Sequence, residues 1–109
     1  MDKAIRYLSL AAKAGKLVIG EEDQLKAARK GKGALLLLAS DAAPSAIKRA
    51  SELSAIRDTK VITTVYTKSE IARAVGRGSS VALLMLIDEG LSAAFTAAAA
   101  IGTEQEESK

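Results

Sequence analysis

The chain has 109 residues, 16 Lys and Arg against 13 Asp and Glu for a net charge of +3, and neither cysteine nor histidine. That length specifies a single domain, able to bury roughly two thirds of its unfolded surface. The two missing residue types exclude disulfides, thiolate and imidazole catalysis and the usual zinc sites, so the composition points away from an enzyme and toward a reducing, cytoplasmic compartment.

About half of the residues are apolar, yet Tyr7, Tyr66 and Phe95 are the only aromatics, so the core is expected to be packed from Ala, Leu, Ile and Val. No segment approaches the ~18 apolar residues of a membrane span, which predicts a soluble chain with no membrane partner.

In chain order, DKAIRYLSLAAKAG places Ile5, Leu8 and Ala12 on one helical face, with Gly15 as the stop. KLVIG reads as a short strand. EEDQLKAARKGK follows as a helix with Leu25 and Ala28 inward, then GALLLLAS as a strand buried on both faces, because it shows no alternation. Asp41 is expected to bond its own backbone in a turn, and Pro44 suits the first position of a helix ending near Ile56. VITTVY is a third strand. In TKSEIARAVG, Thr67 and Glu70 have the spacing of a capping box and Gly76 closes the helix. VALLMLID is the fourth strand, EGLSAAFTAAAAIG the last helix and TEQEESK a flexible acidic tail, so the domain spans residues 1–102 and the tail 103–109. Asp41 and Asp88 each follow a strand and precede Ser-Ala by four residues, an echo of strand-to-helix chemistry.

Helices and strands alternate throughout, which predicts an α/β chain: a three-layer α/β/α sandwich with a central four-stranded mixed sheet. Glu104, Glu106, Glu107 and Lys109 lie in the tail, and without them fifteen cations face ten carboxylates. A basic body of this kind fits an anionic partner.

Several chemical signatures fail on inspection. Gly15-Lys16 has Leu10 where a Walker loop needs its first glycine, and Gly31 and Gly33 are followed by Leu36 rather than a third glycine. Ser45 and Lys48 have the spacing of a Ser/Lys nucleophile pair but sit on a helix-periodic, solvated face without a partner motif. Glu21, Glu22 and Asp23 are consecutive on a helix and so point about 100° apart, which disfavours convergence on a metal ion. No cofactor is expected.

The segment GEEDQLKAARKGKG from Gly20 to Gly33 has a simple structural reading: acids oppose the helix dipole at its start, cations at its end, and Glu22 pairs with Lys26. It also offers more. Glu22, Lys26 and Arg29 share a face, with Lys16, Lys30 and Lys32 near in sequence, so a cationic ridge carrying carboxylates is expected to flank one end of the sheet. Such a surface suits RNA, since cations hold phosphates while a carboxylate accepts from base amino or imino groups.

The order of elements, together with GEEDQLKA, LLLLASDAAP and VYTKSEIARAVG, resembles the ribosomal-protein superfamily called L-seven-Ae/L-thirty-e, and most its small bacterial YlxQ-type members, over about residues 3 to 100. The family pattern Gly-x-Asn-Glu-x-x-Lys falls on Gly20, Glu22, Asp23 and Lys26, and Asp-x-x-Pro on Asp41 and Pro44. The resemblance implies non-catalytic binding of kink-turns, sharply bent RNA helices with sheared G·A pairs and a flipped-out nucleotide, in ribosomal or ribosome-associated RNA, by a monomer. It implies that Gly20 admits the RNA, that Lys26 donates to guanine, and that Asp23 stands for a glutamate acceptor. Together with the cations of the ridge and the Arg77 loop, the candidate RNA-binding set is Lys16, Gly20, Glu22, Asp23, Lys26, Arg29, Lys30, Asp41 and Arg77. Two departures matter. Glu22 replaces an asparagine, removing a donor and adding a charge that phosphates repel. Arg77-Gly78-Ser79-Ser80 replaces a small apolar loop that usually meets the flipped nucleotide, so Arg77 would contact phosphate or stack on a base instead. Tyr66 reads as half-buried packing before it reads as a stacking platform. The alternative use of the fold is a protein-interaction or assembly module without high-affinity RNA recognition.

Overall fold

The computed structural model describes the backbone of residues 3–107 and the side chains of residues 3–99. Its elements alternate as α1 (Lys3–Lys13), β1 (Leu17–Val18), α2 (Glu21–Arg29), β2 (Leu35–Leu38), α3 (Pro44–Arg57), β3 (Val61–Thr63), α4 (Lys68–Ala74), β4 (Leu83–Leu86) and α5 (Glu89–Glu107). The runs LLLL and LLML form β2 and β4 with every residue buried, because a strand covered on both faces sends alternate side chains into two apolar layers. Leu35, Leu37, Leu84 and Leu86 enter the layer of α1, α4 and α5, around Leu8, Ile71 and Phe95. Leu36, Leu38, Leu83 and Met85 enter the layer of α2 and α3, against Ala27, Ala28, Ala50 and Leu53. The expected three-layer sandwich is the fold.

The sheet order is β1-β4-β2-β3, with β2 and β3 parallel and the other pairs antiparallel, so the sheet is mixed as expected. Register defines its two ends. Val18, Leu38, Thr63 and Leu83 mark one, where β1 leads into Gly20; Leu17, Leu35, Val61 and Leu86 mark the other, where α2 has delivered Lys30. We call these the Gly20 end and the Lys30 end.

Local signals account for most boundaries. Ile5 and Leu8 are buried on α1 with Ala4 and Ala11, while Ala12 is half-buried, a rotation of the expected face by less than one residue position. The capping box of α4 is present: Glu70 N–H donates to Thr67 Oγ1 at 3.1 Å and Thr67 N–H to Glu70 Oε1 at 2.9 Å. Thr67→Ala is therefore expected to lower stability by about 1 kcal/mol in thermal unfolding, the usual worth of such a cap. At the other end of α4, Gly76 takes φ of 76° and Arg77 N–H bonds Ala72 O at 2.8 Å, a closure that favours glycine.

Three expectations are corrected. β3 stops at Thr63 rather than Tyr66, because β2 ends at Leu38 and both the N–H and Oγ1 of Thr64 bond the Leu38 carbonyl at 2.8 Å, turning the chain away. α5 continues past Gly102 to Glu107; Glu and Gln are good helix formers, and one interior glycine costs only about 1 kcal/mol. Residues 108 and 109 of the expected flexible tail lie outside the described residues. The echo between Asp41 and Asp88 also divides, since Asp88 Oδ1 caps α5 by accepting from Leu91 N–H at 2.8 Å whereas Asp41 bonds elsewhere.

Candidate nucleic-acid interface

Gly20 is the N-cap of α2 with φ of 107° and ψ of 139°, a backbone conformation that L side chains rarely adopt. A Cβ built there meets nothing within 4 Å, so this face of the backbone is open to an approaching ligand. Because glycine supplies no cap, the first-turn N–H groups of α2 have no side-chain acceptor. Glu21, Glu22 and Asp23 project beside them and are exposed. One turn of helix thus offers backbone donors and carboxylate acceptors together, the complement that a nucleobase edge requires.

The turn is held from beneath. Gln24 is 2% exposed and its Nε2 donates to Val18 O and Leu83 O, each at 3.1 Å. β1 is only two residues long, and the amide continues its pairing with β4 beyond the last backbone rung. Arg49 of α3 reaches across to Glu21, with Nη1 at 2.9 Å from Oε1 and Nη2 donating to the Glu21 carbonyl, and its Nε donates to Gln24 Oε1 at 3.4 Å. The expected Glu22–Lys26 pair is absent. The carboxylate engaged in an ion pair is Glu21, because α3 brings a guanidinium to it, and Glu22 and Lys26 both remain exposed.

Asp41 was expected to close its own turn; instead its Oδ1 accepts from Lys68 N–H at 2.8 Å, capping α4 from 27 residues away. That helix start offers free N–H groups, and the neighbouring Ser40 N–H is already bonded to Tyr66 O at 2.7 Å, which fixes the two turns side by side. Val81 N–H bonds Lys68 O at 3.2 Å, so the loop starting at Arg77 returns to this same place. Arg77 itself is exposed and lies just past the far end of the seven-residue α4, nine residues after Lys68. Tyr66 is 8% exposed within the core and offers no stacking face.

The structure therefore brings Gly20, Glu22, Asp23 and Asp41 to the Gly20 end, with Lys26 on the exposed face of α2 between the two ends. It does not place the cationic ridge there. Lys16 precedes the start of β1, while Arg29 and Lys30 close α2, so all three lie at the Lys30 end. Eight helical steps separate Glu21 from Arg29, a rise of about 12 Å. Sequence proximity was misleading because α2 runs the length of the sheet.

Other cations serve the Gly20 end. A shallow cleft of about 460 Å³ between α2 and α3 is floored by Gln24 and Leu83 and flanked by Gly20, Lys48 and Arg49. Lys48 and Arg49 lie one turn past Pro44, and Lys68 stands at the α4 start. The signal for them was their place in a helix leaving this end of the sheet, and it is visible only once the strand order is known. Ser45 and Lys48 are both exposed along the cleft, which is unlike the buried lysine a Ser/Lys nucleophile needs. Among the described residues no helix is long and apolar enough to cross a membrane.

Comparison with known proteins agrees with this arrangement. A protein of unknown function from Bacillus halodurans C superposes with a TM-score of 0.79 and 29% identity, over 89% of this chain and 96% of that one. The Giardia lamblia 15.5kD RNA binding protein shares the fold with a TM-score of 0.69 and 16% identity, over 88% of this chain and 81% of its own. The family model described as the ribosomal protein L7Ae/L30e/S12e/Gadd45 family matches residues 2–96, nearly the whole sandwich and all three turns of the Gly20 end, and the chain belongs to that family.

Proposed function

We propose that the protein is a non-catalytic, cytoplasmic RNA-binding protein of the small bacterial YlxQ type that recognises a kink-turn in ribosomal or ribosome-associated RNA as a monomer. The family supports RNA as the partner in general, and the likeness to an RNA-binding protein from Giardia lamblia agrees with it. The observation that carries the finer reading is the uncapped, glycine-led first turn of α2, where backbone donors stand beside the exposed carboxylates of Glu22 and Asp23. Sheared G·A pairs expose amino and imino donors and ring-nitrogen acceptors, and a mixed donor and acceptor surface reads both. Lys26, one turn further, is the donor to guanine. Lys48, Arg49 and Lys68 offset the acids and face the backbone of the bent strands.

Glu22→Asn tests the reading. It restores a donor and removes a charge near phosphates, so kink-turn affinity is expected to rise by about 0.5–1.5 kcal/mol. The same RNA with its G·A pairs replaced is expected to gain much less. Titration of both RNAs by fluorescence anisotropy checks this, and equal affinity of wild type and variant for both RNAs would defeat it.

A further inference from the structure

The kink-turn reading leaves the Lys30 end of the sheet unused, yet that end holds most of the cations outside the recognition surface. Lys16 leads into β1 and its carbonyl accepts from Ile87 N–H at 2.9 Å; Lys60 leads into β3 and its carbonyl accepts from Leu36 N–H at 2.9 Å. Lys32 N–H bonds Ala27 O at 2.9 Å, just past the end of α2. Arg57, in the last turn of α3, donates from Nη2 to Arg29 O at 3.4 Å and lies over Gly31, where an added Cβ would stand 3.4 Å from its Cζ. The ends of α2 and α3 are thereby joined, and Lys16, Arg29, Lys30, Lys32, Arg57 and Lys60 are all exposed.

Helix dipoles do not account for this cluster. Cations at helix C-termini are favoured, which covers Arg29 and Arg57 in the last turns of α2 and α3. Lys16, Lys32 and Lys60 lie outside any helix. The acids at this end are Asp58, Glu89 and Asp88, and the Asp88 carboxylate is committed to capping α5. At the Gly20 end the charges are mixed, with Glu21, Glu22, Asp23 and Asp41 set against Lys48, Arg49 and Lys68. The row from Lys16 on β1 to Lys60 on β3 crosses three strand spacings, about 14 Å, which is wide enough to meet more than one phosphate of a strand. It stands a helix length away from the turn proposed to read bases.

We propose that the Lys30 end is a second RNA-binding surface, which grips the phosphate backbone of a separate RNA helix without regard to sequence, so that one molecule bridges two RNA segments. This rests on the reading of the protein as RNA-binding, but not on the kink-turn. A polyphosphate backbone matches a row of exposed lysines and arginines, and its binding releases counterions in proportion to the contacts made.

The test uses the full chain saturated with a short-stemmed kink-turn hairpin, to which a labelled RNA duplex of about 20 base pairs is added at about 50 mM salt. A ternary complex is expected. In Lys30→Gln/Lys32→Gln/Lys60→Gln, duplex affinity is expected to fall about tenfold or more and the salt slope by about two units, with hairpin affinity held within about twofold. Thermal unfolding verifies that the variant folds, and Lys16→Gln/Lys60→Gln gives a milder second probe of the same row. The proposal is overturned if hairpin displaces duplex one for one, if the triple variant loses both RNAs in parallel, or if duplex affinity does not change. Equal binding of a poly-glutamate chain would also overturn it, as a surface for any anionic polymer. Should wild type fail to distinguish the hairpin from its G·A-replaced form, the kink-turn reading fails, while loss of duplex binding in the triple variant still supports this one.

Discussion

Gln24→Leu is expected to destabilise the fold by about 1–3 kcal/mol, because the buried Leu83 carbonyl loses its side-chain donor and the half-buried Val18 carbonyl loses a second one. Leucine has nearly the volume of glutamine, so no cavity opens. What is lost is electrostatic: Val18 O and Leu83 O each give up a 3.1 Å bond to Nε2, and the Arg49 guanidinium loses the Oε1 acceptor. A buried acceptor without a partner costs about 1–3 kcal/mol, and of the two carbonyls under this side chain that of Leu83 is the buried one. Urea unfolding monitored by circular dichroism provides the measurement, with a lower midpoint and an unchanged slope expected. A loss below about 0.5 kcal/mol would mean that water replaces the amide and that β1 needs no such support.

Lys26→Ala separates structure from recognition. Lys26 is exposed and makes no ion pair with Glu22, so stability is expected to stay within about 0.5 kcal/mol of wild type. Kink-turn affinity is expected to fall by about 1–3 kcal/mol, the usual worth of a base contact, with duplex affinity nearly unchanged. If instead duplex and kink-turn affinities fall together by the same factor, Lys26 meets phosphate, and the donor to guanine must be sought elsewhere on the Gly20 end.

Much of this architecture was legible before any coordinates. The short leucine-rich runs LLLL and LLML, bounded by turn residues, read as strands covered on both faces, and the caps at Pro44, Thr67 and Gly76 mark helix boundaries through local chemistry alone. The motif turn at Gly20 was equally plain. Long-range partners were not. Gln24 sits between Asp23 and Leu25 in a polar helix, and nothing local says that its amide completes a sheet. Asp41 carries the signature of a self-closing turn, but the acceptor was captured by a helix start 27 residues on, which only the parallel pairing of β2 and β3 brings near. The cations of GEEDQLKAARKGKG are close in sequence to its carboxylates, and a nine-residue helix is enough to part them.

The strand order has a consequence for how the molecule comes into being. β4 is the last strand to be synthesised, yet both β1 and β2 pair with it, so the sheet cannot close until residues 83–86 are available. Before then, β1 has no partner strand and the Gln24 amide lacks the Leu83 carbonyl. A growing chain therefore carries the Gly20 turn without its support from β4 for most of its synthesis. On the proposed function, competence to bind RNA should arrive late and abruptly, so that stalled or truncated chains ending before Leu83 are expected to bind RNA poorly.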